Sequence, residues 1–350
     1  MRPESVLPTS ILKSPQIYIV IFAILVFFLS LFYGVVDLDI FSIIMTDAKM
    51  TSYLFSNTND SFILFQVRVP RIFSALLAGA CLAAGGVLSQ GLFRNELASP
   101  SILGTSAGAA FFASLAFYFA WAQSHFLAVA GSAFLGALLA TFILLTLLTG
   151  VHYTRYSFYL LLGGFALSSF LGALSSFIVS FLMREQIQAL AVMRWLLGSF
   201  NSSTLEQVQF ALPLAILAFI FSLKISRALN ILALGEDSAG NLSIDIKKLQ
   251  VLSLLLIAFL TAIAAGLGGI IPFVGLVAPH LTRLILGPEH RQLLIYSSIN
   301  GASLLVLADW FGRVVNPPYE LQVGIITSLL GAPFFLLLIR RQLRQSREAT

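Results

Sequence analysis

Charge is what this chain of 350 residues has least of, since Asp, Glu, Lys and Arg together make up 10% of it, against roughly 25% in soluble domains. With 58% hydrophobic residues and a mean hydropathy of +0.95, a soluble globular domain is excluded. This is an integral membrane protein. Cysteine is nearly absent too: Cys81 stands alone, which excludes an intramolecular disulfide and a cysteine metal cluster, and inside its apolar run it reads as a small core residue. The chain also has no Gly-x-x-x-x-Gly-Lys phosphate loop, no His-Glu-x-x-His and no acidic pair within an apolar run that could relay protons or hold a metal. His125, His152, His280 and His290 fall near the ends of apolar runs or in loops. Asp309 is the nearest thing to an intramembrane acid, and Arg313 follows it by one helical turn, which reads as a neutralising pair at the membrane boundary. A gradient-driven transporter or channel, or an intramembrane enzyme, needs such groups in the membrane. This chain carries no energy source of its own.

What it does have is long apolar runs, and a helix needs about 20 apolar residues to cross a bilayer. Ten runs qualify, at about 17–36, 69–92, 101–121, 126–149, 157–182, 208–226, 249–271, 273–287, 292–312 and 322–340. The eighth and ninth are short and interrupted by Pro279, Gly287 and Pro288, so a broken or re-entrant helix is an alternative there. Arg2 and Lys13 precede the first run without a small-residue cleavage site, so it is kept as a structural helix. The result is an all-α polytopic protein, one transmembrane domain over 1–350. Gly164, Ser168 and Gly172, and Gly79 with Ala83, recur at spacing that lets helix backbones approach closely.

Basic residues accumulate in cytoplasmic loops. With the N-terminus inside, the outer side holds six of them (Lys49, Arg68, Arg71, Arg184, Arg194 and Arg313), leaving fourteen of the 20 inside. Both termini are then cytoplasmic. Residues 37–66, with Asp37, Asp39, Asp47 and Asp60, read as a solvated outer loop. The polar segment Ile231–Gln250 lies between two spans on the cytoplasmic side, and its Gly235, Glu236, Asp237, Ser238 and Gly240 break one helix before Asp245, Lys247 and Lys248 open the next.

Several motifs then occur in a telling order: Arg68-Val-Pro-Arg71, Leu88-Ser-Gln90, Arg94-Asn-Glu-Leu-Ala-Ser-Pro100, Leu103-Gly104, Phe273-Val-Gly-Leu-Val-Ala-Pro-His280, Gly287-Pro-Glu-His-Arg291, Ala308-Asp309 with Arg313, and Gly331-Ala-Pro-Phe334. From about residue 60 to the end the chain resembles the permease subunits of bacterial ABC importers for iron-siderophore complexes, haem and cobalamin, which have the type II importer fold. It departs from their pattern at Glu96, Ser243 and Gln322, where the family usually has Pro, Gly and Pro.

The resemblance implies a subunit of about ten spans in the bacterial inner membrane, paired with a second permease copy, most simply an identical one. Two cytoplasmic ATPase subunits would carry ATP and Mg, and a periplasmic binding protein would deliver an iron-siderophore or similar chelate, with haem or cobalamin as the alternative cargo. No catalytic residue, cofactor, metal site or nucleic acid is implied for this chain. Residues 228–248 become the coupling segment, with Leu232, Leu234, Gly235, Glu236, Asp237 and Ala239 docking into the ATPase. Their physics agrees, since an apolar face (Leu232, Leu234, Ala239, Leu242) can fill a cleft while acids favour a helix start. The resemblance also assigns Arg68, Arg71 and Arg313 to gripping acidic residues of the binding protein. Spans five and ten would line the path, with Gly331, Pro333 and Phe334 in it and Ser157, in the turn His152–Ser157, at the inner gate.

Overall fold

Wherever a chain meets lipid its peptide groups must bond among themselves, and a helix does this within one segment. In the computed structural model, residues 15–34, 59–121, 127–147, 153–235, 242 and 244–348 are described, and among them there is no strand. The helices are α1 (Pro15–Phe32), α2 (Val69–Phe93), α3 (Thr105–Tyr118), α4 (Leu127–Leu147), α5 (Tyr153–Leu182), α6 (Gln186–Leu196), α7 (Leu205–Ala233), α8 (Ile246–Gly268), α9 (Val274–Leu286), α10 (His290–Val314) and α11 (Val323–Glu348). Residues Asn59–Phe62 and a π-helical turn Ile63–Arg68 lead into α2. The span therefore starts near Asp60, which sits in a helical turn rather than in the expected outer loop; Asp37, Asp39 and Asp47 lie outside the described residues.

Among the described residues, eight helices are long and apolar enough to cross a membrane. The expected third and eighth spans, α3 and α9, are too short at 14 and 13 residues, or roughly 20 Å against a hydrocarbon layer of about 30 Å. Their limits are local: the left-handed Gly104 stands before α3, and α9 runs from left-handed Phe273 to Gly287 at φ 85°. The ninth span is an uninterrupted 25-residue helix, capped by the Glu289 side chain. α6 was not expected at all. Thr204 opens α7 with a capping box to Gln207, and Asp245 caps α8 by accepting from the Lys248 amide, so polar residues mark these starts as the sequence suggests.

The middle of the bundle is α2, which packs against α10 most extensively and also against α8, α7 and α9. Its face is alanine and glycine, and it is buried along most of its length. Gly79 lies against the backbone of Gly301 in α10, and Gly86 against the carbonyl of Gly275 in α9; a methyl group at either position would overlap that backbone. In contrast, Gly164 and Ser168 of α5 face Gly104, while a methyl at Gly172 would meet nothing. α11 has few neighbours in the chain, and α5 packs mainly on α3; both carry large exposed side chains such as Phe165, Phe170, Leu329 and Leu336.

The bundle has two polar ends. One brings together the ends of α1 and α10 and the starts of α2, α7 and α11 around Arg71; the other joins the ends of α2, α7 and α9 to the start of α10 around His290 and Arg283.

The glycine contacts give a direct test. Gly86→Ala should lower the midpoint of thermal unfolding in detergent, since overpacking against a backbone that cannot turn aside costs about 1–3 kcal/mol or more. Gly131→Ala, where a methyl meets nothing within 4 Å, should leave it unchanged or raise it. Equal midpoints for the two variants would contradict this account of α2.

Candidate functional site

At the first end, Arg71 enters near the start of α2, and a guanidinium buried there needs acceptors in its own plane. Its Nε donates to both Asp309 oxygens at 2.9 and 3.0 Å, and Nη2 pairs with Oδ1 at 2.9 Å. The remaining nitrogen, Nη1, donates to Asn201 Oδ1 at 3.0 Å and to Glu320 Oε2 at 2.9 Å. Arg313 stands 3.3 Å from Asp309 and donates to the Ser30 hydroxyl at 2.6 Å. Arg68 donates to the Leu31 carbonyl at 2.9 Å, at the C-terminal end of α1, where the helix dipole favours a cation.

Asp309 therefore does neutralise Arg313, but Arg71 from a different helix is its closer partner. All three arginines are buried, at 4%, 5% and 5% exposure for Arg68, Arg71 and Arg313. The three arginines expected to grip a binding protein are turned inward, because the carbonyls of α1 and the carboxylate of α10 hold them there. Glu320, Asn201 and Ser30 were missed, since nothing in their local sequence distinguishes them from loop and helix-end residues. Beside the network a polar cleft of about 330 Å³ opens, lined by Arg194, Asn201, Tyr319, Glu320 and Gln322 among others.

At the second end, Arg283 donates to Gln90 at 3.0 Å and lies 3.6 Å from Glu96, which is also 3.6 Å from His280. Glu96, one of the departures from the family pattern, thus bridges the turn after α2 to α9. Asn230 accepts from the His290 amide at 2.9 Å, lies 2.6 Å from its Nδ1 and donates to Glu289 at 3.2 Å, which ties the end of α7 to the start of α10. Burial pushes the Glu289 carboxyl up, but donation from the Gln292 and Arg291 amides and from Asn230 outweighs it and holds the group below its ordinary value.

The expected coupling segment, 228–248, includes Asn230 and this contact. Leu232 is 1% exposed, so it belongs to the core packing of α7 and is corrected as a partner-facing residue; helical geometry turns its side chain onto the bundle. Leu234 and Leu242 are 75% and 60% exposed, and Gly235 holds φ 119° with open space around it. Glu236, Asp237 and Ala239 lie outside the described residues.

Along the expected path, Gly331 of α11 packs so closely on Phe273 that a methyl there would overlap the ring, and Phe334 meets His280 edge-on at 5.7 Å. Pro333 lies inside α11 and faces outward. Ser157 is already helical, as α5 starts at Tyr153, which shortens the expected turn; His152 lies outside the described residues. On α5, Ser169, Ser176 and Ser180 are exposed, each hydroxyl returned to a carbonyl of its own helix.

Comparison with known proteins agrees with this geometry over nearly the whole chain. Residues 21–341 match the model of the FecCD transport family. The chain is 40% identical over 276 residues to the cobalamin import system permease protein of Halobacterium salinarum, covering 78% of this chain and 72% of that one. Over 295 residues it is 36% identical to the hemin transport system permease of Yersinia pestis (83% and 87% covered), and over 280 residues 39% identical to the Fe(3+) dicitrate transport system permease of Escherichia coli (80% and 86%). A solved transporter of proposed metal-chelate ABC type, in an inward-facing conformation, superposes with a TM-score of 0.80 at 29% identity, covering 93% of this chain and 98% of that one.

The first end makes its own prediction. Asp309→Ala leaves two buried guanidiniums without their carboxylate, so it should destabilise the purified chain by about 3–5 kcal/mol, whereas Glu320→Gln, at a partly exposed side chain, should cost no more than about 1 kcal/mol. Thermal unfolding in detergent measures both, and equal losses would refute the assignment of Asp309 as the centre of the network.

Proposed function

Since the chain belongs to the FecCD transport family, we propose that it is the membrane subunit of an ATP-driven importer, pairing with a second copy of itself, with two ATPase subunits on the His290 side and a binding protein on the Arg71 side. It is a transport permease that spans the membrane many times. On this reading the membrane is the bacterial inner membrane and both termini are cytoplasmic, which the grouping of basic residues supports: Arg94, Lys224, Arg227, Arg283 and Arg291 accompany His290, while Arg68, Arg71, Arg194 and Arg313 mark the other end. The cargo is a metal chelate, most simply an iron-siderophore complex. The relatives' names cover ferric dicitrate, hemin and cobalamin, which share a chelated metal and little else.

The observation that carries this reading is the stripe of small residues Ser169, Gly172, Ser176 and Ser180 on α5, whose three serines are exposed. With a second copy opposite, it forms one wall of a path in which the hydroxyl oxygens can still accept a hydrogen bond while donating to their own helix. On α11, the Gly331, Pro333 and Phe334 stretch would line the same path, with Ser157 at the inner mouth. Proteoliposomes test it: ferric-siderophore uptake should require ATP, the ATPase and the binding protein together, in a complex of two permease copies. Gly235→Val, strained at a φ that L residues rarely adopt, should leave ATP hydrolysis and abolish most uptake. Uptake by the permease alone would overturn the reading, and normal uptake by Gly235→Val would reduce the coupling segment to a spacer.

Docking through Arg68, Arg71 and Arg313 takes a particular form, given their burial. Glu320 already occupies one face of Arg71 beside the polar cleft, so an acidic residue of the binding protein gains Arg71 by replacing it. Glu320→Gln should then tighten binding-protein association and increase its salt sensitivity. Unchanged affinity and salt slope would leave the three arginines a purely structural role.

A further inference from the structure

The transport reading leaves one cluster unused, on the membrane-facing side of α7 and α10. Lys224 and Arg227 are one turn apart on α7, and Arg291 is the second residue of α10; all three are exposed. Together with Ile220, Leu223 and Ser226 they line a cavity of about 390 Å³. None of the ion pairs among the described residues involves any of the three. The nearest acid along the chain, Glu289, has turned its oxygens to the Arg291 and Gln292 amides and to Asn230. Lys224 extends over the Phe221 ring at 5.0 Å, and the Ser226 hydroxyl is returned to Leu223. Three cations thus converge on one hollow that holds no anion of the chain's own.

Depth and continuity say what kind of anion fits. At 1.5 Å per residue, Lys224 and Arg227 lie roughly 28 and 33 Å along α7 from Leu205, where a hydrocarbon layer of about 30 Å gives way to headgroups. Ile220 also lines a second, adjoining hollow of about 250 Å³, whose other walls include Ile216, Phe219, Cys81 and Leu77. That groove is apolar throughout, since the hydroxyl of its one polar residue, Ser298, donates to the Leu294 carbonyl. A basic pocket at headgroup level joined through one residue to an apolar groove running toward the membrane centre has the two-part chemistry of a phospholipid.

We propose that this is a binding site for an anionic phospholipid, its phosphate held by Lys224, Arg227 and Arg291 and one acyl chain lying in the groove between α2, α7 and α10. Basic pockets between spans on the cytoplasmic side suit such headgroups in general. The site rests on the chain's crossing a membrane and is independent of what the importer carries. Occupied, it would brace α7 against α10 one or two turns from the Asn230–His290 contact.

Native mass spectrometry of the purified full-length protein tests this by titration with phosphatidylglycerol and with phosphatidylcholine. Wild type should bind phosphatidylglycerol at least about tenfold tighter, and Lys224→Gln/Arg227→Gln/Arg291→Gln should erase that preference. Ile216→Trp, which fills the groove and keeps every charge, should weaken binding of both lipids. Should the triple variant fold poorly, the single Lys224→Gln and Ile216→Trp variants decide the matter. Inorganic phosphate at millimolar concentration should not displace the lipid; if it does so fully, the pocket is a soluble-anion site and the proposal fails. It fails equally if the triple variant keeps its preference, or if it loses the ATPase partner while binding lipid as before.

Discussion

Contact between helix backbones, made possible by glycine, is the constraint on which the rest of this molecule depends. In lipid there is no hydrophobic drive to bring apolar helices together, so close backbone approach and a few polar contacts must do it. α2 meets α10 at Gly79 and Gly301, and α9 at Gly86 and Gly275. With α2 held this closely between its neighbours, the ends of α2, α9 and α10 are brought within reach of one another. Both polar networks follow from that spacing.

The two networks differ in character as well as in position. Around Arg71, two buried cations, Arg71 and Arg313, share the buried Asp309, a geometry that resists rearrangement because losing that carboxylate leaves charge in a low-dielectric setting. Around His290 and Arg283 the contacts are single hydrogen bonds and longer ion pairs of 3.6 Å, with a partly exposed Glu96 between them. The second end is thus the softer one. It is also where α7 ends, at a contact in which Asn230 holds the first turn of α10, while His280 of α9 meets Phe334 of α11.

The short helices α3 and α9 have a related role. Both are apolar and shorter than a full crossing, and both begin after a residue with positive φ, Gly104 and Phe273. Phe273 has no glycine's freedom, so its left-handed backbone costs energy that packing against Gly331 offsets. That places a strained residue where α9 meets α11.

Composition and motif order by themselves determined that this is a helical membrane protein, where most of its long helices run, and to which family it belongs, while α6 left no such signal. Those properties are local or cumulative: hydropathy adds along the chain, glycine and capping residues act on their own turn, and the Arg71 and Gly331 motifs are readable as strings. Asp309 beside Arg313 was legible too, because four residues is one helical turn. Only the tertiary structure decided that Arg71, from 238 residues earlier, is the carboxylate's closer partner. It likewise decided that the three arginines face inward, that Leu232 belongs to the core, and that Lys224, Arg227 and Arg291 share one pocket. These depend on which faces of distant helices are brought together, and a buried charge is recognised from sequence only when its partner lies within reach along the same helix.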